Sequence, residues 1–139
     1  MNLTSISQAI RSAFGAVGYI QSLYEGDVYD HWNNNEVQYH SACFALESVE
    51  TKEDVKAYNL IVYVADRLTE DCSNRVQCFD TSEAAIEKML NILTDSGRSD
   101  NLWVEDTRQY TPFEQKFADN LAGVYVRIKL NTTNELNLC

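Results

Sequence analysis

The residues of this chain best suited to chemistry are its two histidines and four cysteines: His31, His40, Cys43, Cys72, Cys78 and Cys139. Zinc asks for tetrahedral nitrogen and sulfur ligands, usually supplied as close pairs from turns. His40 and Cys43 lie three apart in a stretch that reads as a strand, so they point to opposite faces. Cys72 and Cys78 stand six apart, wider than a zinc knuckle. A disulfide between them is geometrically open, but two reduced thiols flanking a turn is the simpler reading. Nucleophilic catalysis needs Ser or Cys beside a base, and neither histidine sits in a recognisable motif. Acid pairs such as Glu70-Asp71 and Glu105-Asp106 are unavoidable with 21 carboxylates among 139 residues, and read as solvated charges. Gly15-Ala16-Val17-Gly18 lacks the preceding strand and following lysine of a phosphate loop. The expectation is a chain with no catalytic residues, no metal and no cofactor: not an enzyme.

Contact chemistry is better represented. Tyr29, His31 and Trp32 sit together in a polar stretch, where they either anchor a partner or fold back over the core. Asp66-Arg67, followed by Asp71, reads either as a solvated strand end or as an oligomer contact in which the arginine fork pairs a neighbour's carboxylate. Arg127 and Lys129 stand on the outer face of the last strand of a strongly acidic chain, suited to a neighbour's acidic patch.

The elements that position these residues follow from periodicity. Leu60-Ile61-Val62-Tyr63-Val64-Ala65 is continuously apolar and β-favouring, so Lys56–Arg67 is the central strand, covered by helices on at least one face. Before it, Ser5 to Tyr24 reads as a helix with a Ser5/Gln8 capping box and a stripe of Leu3, Ile6, Ile10, Phe14 and Val17. Gly15 and Gly18 within it either allow close approach or end it early. Glu25 to Glu36 reads as a loop. Gln38 to Val49 is a strand joined to the central one by a charged turn too short for a crossover, hence antiparallel. Leu68 to Arg75 is a polar turn. Asp80 and Glu83 box the start of a helix over Thr81–Thr94, stopped at Ser96-Gly97, with Ile86, Met89, Leu90 and Leu93 buried. Leu102 to Tyr110 reads as an edge strand, and Thr111-Pro112-Phe113-Glu114 as the start of a short helix. Gly123 to Leu130 alternates, with Val124, Val126, Ile128 and Leu130 inward and Tyr125, Arg127 and Lys129 outward. The order predicted is αββαββ: an α+β two-layer sandwich, a mainly antiparallel four-stranded sheet with two helices on one face.

Length and composition bound the rest. The 139 residues suffice for one domain with a flexible polar tail over 131–139. The 45% hydrophobic and 11% aromatic content is globular. A net charge of −10 argues against a nucleic-acid-binding surface, which needs a basic footprint, and is compatible with a wall that DNA slides past; its plainest reading is solubility. The N-terminus lacks the pattern of a signal peptide, and no stretch approaches the ~18 apolar residues of a membrane span. The reading is a protein made in the cytoplasm with no membrane partner.

Several segments together resemble a known group. They are LTSISQAIRSAFGAVGYIQSLYEGDVYD, YNLIVYVADRLTEDCSN, CFDTSEAAIEKMLNIL and TPFEQKFADNLAGVYVRIKL, with a terminal Asn-x-Cys. They are similar to small neck proteins of tailed bacteriophages, in particular phages of Bacteroidetes hosts including the crAss-like group. In element order the chain also resembles tail-terminator and head–tail joining proteins. The resemblance implies a structural virion subunit that forms a ring of six or twelve copies between portal and tail. Such a ring contacts other portal, neck and tail proteins and lines a channel for DNA without binding it specifically. It carries over no catalytic residues. The alternative class is a small cytoplasmic, phage-encoded module that binds and inhibits a host protein.

Overall fold

The computed structural model describes residues 3–33, 37–96, 102–105, 108–117 and 119–133. Within them the chain forms α1 (Leu3–Gly15), β1 (Ser22–Glu25), α2 (Val28–Trp32), β2 (Ser41–Thr51), β3 (Val55–Arg67), α3 (Arg75–Ser96), β4 (Trp103–Val104), β5 (Thr111–Lys116) and β6 (Asn120–Thr133). The class is α+β. The sheet, however, has six strands rather than four and is mixed, because β1 runs parallel to β2. The order is β1-β2-β3-β6, and the far edge of β6 pairs β5 along its first half and β4 near its end.

The centre is where the apolar run placed it. β3 pairs β2 on one side and β6 over thirteen residue pairs on the other, from Val55↔Thr133 to Arg67↔Leu121. One side of the sheet, here the helical face, presents Ala42, Phe44, Tyr58, Leu60, Val62, Val64, Val124, Val126, Ile128 and Leu130 to Ile6, Ile10 and Phe14 of α1 and to Ile86, Met89 and Leu93 of α3. The inward and outward residues of β6 fall as the alternation requires. Each fully buried Leu, Ile, Val or Phe side chain contributes ~1.5–3 kcal/mol from area removed from water, so this layer dominates stability.

Departures from the expected elements have local causes. α1 ends at Gly15 instead of running to Tyr24, and Ser5 lies within it rather than capping it. The freed chain adds β1 to the edge, with Gly26 at φ 142 making the exit that a side chain would resist, since a Cβ there would meet the Tyr24 ring at 2.9 Å. The stretch read as a loop contains α2, whose N-cap Asp27 accepts from the Tyr29 amide at 2.8 Å. α3 begins at Arg75, not Thr81. Cys78 and Ser82 are buried and extend its stripe about two turns upstream of Ile86, and the Cys78 amide donates to the Asn74 carbonyl at 2.9 Å. Asp80 is therefore an exposed residue inside the helix. Of the edge strand expected over Leu102–Tyr110, only Trp103–Val104 pairs; Asp106 and Thr107 lie outside the described residues. Thr111-Pro112-Phe113-Glu114 is a strand, not a helix. Its six pairs with β6 stabilise it more than a short isolated helix could be, and an edge strand tolerates proline's missing donor. Asn131–Thr133, expected in a loose tail, completes β6; residues 134–139 lie outside the described ones. No described helix is long and apolar enough to cross a membrane.

Candidate functional site

Among the described residues, no long helix lies over the second side of the sheet, here the open face. The five-residue α2 covers one end only. There Trp32 is fully buried, together with Val37, Cys43, Ala65, Phe117 and Leu121. A five-residue helix cannot hold itself together, so α2 stands on the contacts of this indole. Trp32 stacks on Phe113 (centroids 5.9 Å) and meets Phe117 (5.4 Å) and Tyr63 (6.2 Å) edge-on. Its Nε1–H donates to Ser41 Oγ at 2.9 Å, and Ser41 Oγ lies 2.8 Å from His31 Nε2. Burial holds the His31 pKa below its ordinary value, which favours the neutral ring. Ser41 Oγ accepts from Trp32 and makes a second hydrogen bond with His31, whose direction follows the imidazole tautomer.

Beside this cluster the sheet is left concave. Val28, Tyr29, Trp32, Tyr63, Phe113 and Tyr125 wall a cleft of about 230 Å³ on the open face. Gln115 Nε2 donates to Tyr29 Oη at 3.0 Å across its rim. Arg127 closes the other side, lying over the Tyr125 ring at 5.9 Å and pairing with Glu47 at 3.1 Å. Further along the same face Lys129 pairs with Glu50 at 3.5 Å. A second hollow of about 240 Å³ follows, walled by Glu50, Lys52, Val55, Ala57, Trp103 and Lys129. The open face thus reads, along β6, as aromatic cleft, charge quartet, hollow.

Of the eight contact residues singled out in the sequence, Tyr29, Trp32 and Arg127 meet at the cleft and Lys129 lies next to it. Trp32 and His31 have folded back over the core; Tyr29 alone of that trio is open, 51% exposed. Asp66 and Arg67 are occupied within the chain. Asp66 accepts from the Arg67 amide at 2.8 Å and faces His40 Nε2 at 3.2 Å, while Arg67 pairs with Asp119 at 3.4 Å and covers the Tyr39 ring. Asp71 accepts from Thr69 Oγ1 and the Ser73 amide, which holds its carboxyl below the usual range, and it shapes the turn before α3. Sequence reasoning missed Tyr63, Phe113, Phe117 and Tyr125 as a group. Tyr63 and Tyr125 are cross-strand partners, legible once β3 and β6 are paired; Phe113 needed β5 to be a strand.

No protein-family model and no curated protein matches this chain. His40 and Cys43 do point to opposite faces: Cys43 Sγ lies on the open face, 3.2 Å from the Gly26 carbonyl that accepts from it. Among the described residues no three His, Cys, Asp or Glu side chains are grouped to hold a metal ion. Cys43, Cys72 and Cys78 are free thiols. A larger hollow, about 790 Å³, lies between the end of α3 and β4, and two of its polar side chains are engaged within the chain. Arg108 pairs with Glu87 at 3.0 Å, and Glu105 accepts from Asn131 at 3.1 Å.

Burial, then the Asp27 charge, pushes the Cys43 thiol from 9.0 up to about 12; burial first, then Asp119, raises the Tyr39 phenol from 10.0 to about 12. In both the neutral form is favoured by folding, so the stabilisation is complete below the unfolded values and is lost as pH rises through the folded ones. Urea midpoints are expected to hold steady up to pH 9.0 and to fall progressively between pH 9.0 and about 12, with Cys43→Ala removing part of the slope. A midpoint that rises with pH in that window contradicts the assignment. In native protein at neutral pH, iodoacetamide is expected to modify Cys72 well before Cys43, read by peptide mass spectrometry.

Proposed function

We propose that this chain is a structural virion subunit, a neck or tail-terminator-like protein that works by assembly rather than catalysis. The observation that carries the reading is the one-sided coverage of the sheet. α1 and α3 seal the helical face, while the open face keeps an aromatic cleft and exposes Tyr29. Among the described residues, no strand pairs the outer edge of β1 or of β5. Unpaired edges and an apolar face on a small domain are ordinarily completed by other chains. Lateral contacts through the edges would build the ring; the open face and the β2–β3 hairpin tip would meet neighbouring layers. A net charge of −10 favours a channel wall that repels DNA and lets it pass.

The test is direct. Reconstruction of the intact particle is expected to place this chain as a ring of six or twelve copies between portal and tail. Its absence from the particle, with the purified chain forming a defined complex with a host protein, would favour the inhibitory binding module instead.

A further inference from the structure

The open face carries a knob and a hole at each end, in an order that suits a second copy of itself. At one end is the aromatic cleft, about 230 Å³, level with Gly123–Tyr125 of β6 through its Phe113 and Tyr63 walls, with Tyr29 standing at its rim 51% exposed. At the other end is the hollow of about 240 Å³, with Trp103, 41% exposed, standing at its wall opposite Asn131. Trp103 shares Asn131's side of the sheet, and that is the side of Tyr125 and Arg127, since alternate residues of a strand share a face. Between the two ends lie Glu47–Arg127 and Glu50–Lys129, two acids and two bases. The midpoint between cleft and Trp103 falls at about residue 128 of β6, within this charge quartet.

We propose that two copies pack their open faces together about a two-fold axis through the quartet, each seating Trp103 in the other's aromatic cleft and Tyr29 in the other's hollow. A two-fold contact requires that residue i meet j while j meets i. The arrangement supplies this: cleft and hollow are of nearly equal volume, each flanked by one exposed aromatic, and Tyr29 lines the hole that receives Trp103. The charges at the axis are self-complementary, because Arg127 can exchange Glu47 for the same residue of the partner, and Lys129 can do likewise with Glu50. The contact leaves the edges of β1 and β5 free, so it neither needs the ring nor prevents it.

Sedimentation of the full chain, at concentrations up to about 100 μM, tests this. A dimer is expected, and Trp103→Ala or Tyr29→Ala is expected to weaken it at least ~tenfold, as loss of a seated aromatic does. Arg127→Glu is expected to weaken it too, and Glu47→Arg combined with Arg127→Glu to restore it. A mixture of Trp103→Cys and Gln115→Cys chains is expected to form a disulfide-linked heterodimer on oxidation. A wild-type monomer throughout that range overturns the proposal, and so does association that Trp103→Ala and Tyr29→Ala leave unchanged. A ring in the particle that tolerates both substitutions would sink the face-to-face contact while leaving the ring standing; a dimer with no ring would do the reverse.

Discussion

Replacing Gly123 by alanine is expected to cost ~3 kcal/mol or more, because among the described glycines its added methyl meets the nearest atoms. A Cβ built there meets the Val64 carbonyl oxygen at 1.9 Å, the Ala65 Cα at 2.7 Å and the Ala65 Cβ at 2.9 Å. The first two are backbone atoms of the central strand, so no side-chain rotation relieves the clash. Gly123 pairs Ala65 on one side and Phe113 on the other. To admit the methyl, β6 must move off β3 at the point where the longest pairing in the sheet approaches the cleft. A domain of this size is stable by only ~5–15 kcal/mol, so the variant is expected to lose much of its margin. Gly15→Ala is the control. Nothing lies within 4 Å of its Cβ, and alanine at the end of α1 is expected to be neutral or mildly stabilising. Urea denaturation of the two variants checks both; equal midpoints for Gly123→Ala and wild type would mean that β6 does not pack on β3 as described.

Gly123 also shows what the sequence could and could not reveal. The last strand was readable, because Val124, Val126, Ile128 and Leu130 alternate cleanly, but it starts at Asn120 and Gly123 lies inside it. The role of Gly123 in the strand contact was not readable, because that depends on which residue lies across the ladder. The same division runs through the molecule. The inward residues Ile6, Ile10 and Phe14 of α1 and the buried stripe of α3 followed from apolar period, although Leu3, counted in the first stripe, is exposed. The central strand followed from its unbroken apolar run, and its antiparallel partner from the short turn between them. Elements held by pairing rather than by their own pattern did not follow. β1 is four residues long and gains its order from β2; β5 looked like a capped helix because Thr-Pro-x-Glu satisfies helix-start chemistry equally well. Asp80 and Glu83 had box spacing, yet Cys78 and Ser82 continue the buried stripe upstream and α3 starts before them. The cleft was half legible: Tyr29 and Trp32 drew notice as aromatics in a polar stretch, while their partners come from three distant strands. The Asp66-Arg67 strand end attracted notice by type, and its surroundings show both side chains paired within the chain; of the acidic pairs, Asp71 and Glu105 each accept a hydrogen bond within the chain.

Trp32→Ala is expected to cost ~3–5 kcal/mol, and to cost association before it costs the fold. Trp32 is the sole fully buried residue of α2 among those described, and it carries the ring contacts that tie the helix to Tyr63, Phe113 and Phe117. Its removal opens a cavity under a helix too short to persist alone, so residues 27–33 are expected to exchange amide hydrogens freely while β2, β3 and β6 stay protected. Ser41 Oγ also loses its donor, a separate penalty of ~1 kcal/mol. Trp32→Phe is the milder variant, because it keeps a stacked ring while removing Nε1–H and part of the indole's volume. It is expected to melt within a few degrees of wild type and to retain the cleft. Since Tyr29 rides on the same helix and forms the rim, Trp32→Ala is expected to abolish any contact made through the open face even at temperatures where α1, α3 and the central strands remain folded. Hydrogen exchange resolved by segment, run alongside sedimentation, tests the order of these losses. If the sheet centre and residues 27–33 lose protection together in Trp32→Ala, α2 is an integral part of the core rather than a cover for one end of it, and the cleft cannot act as a separable contact surface.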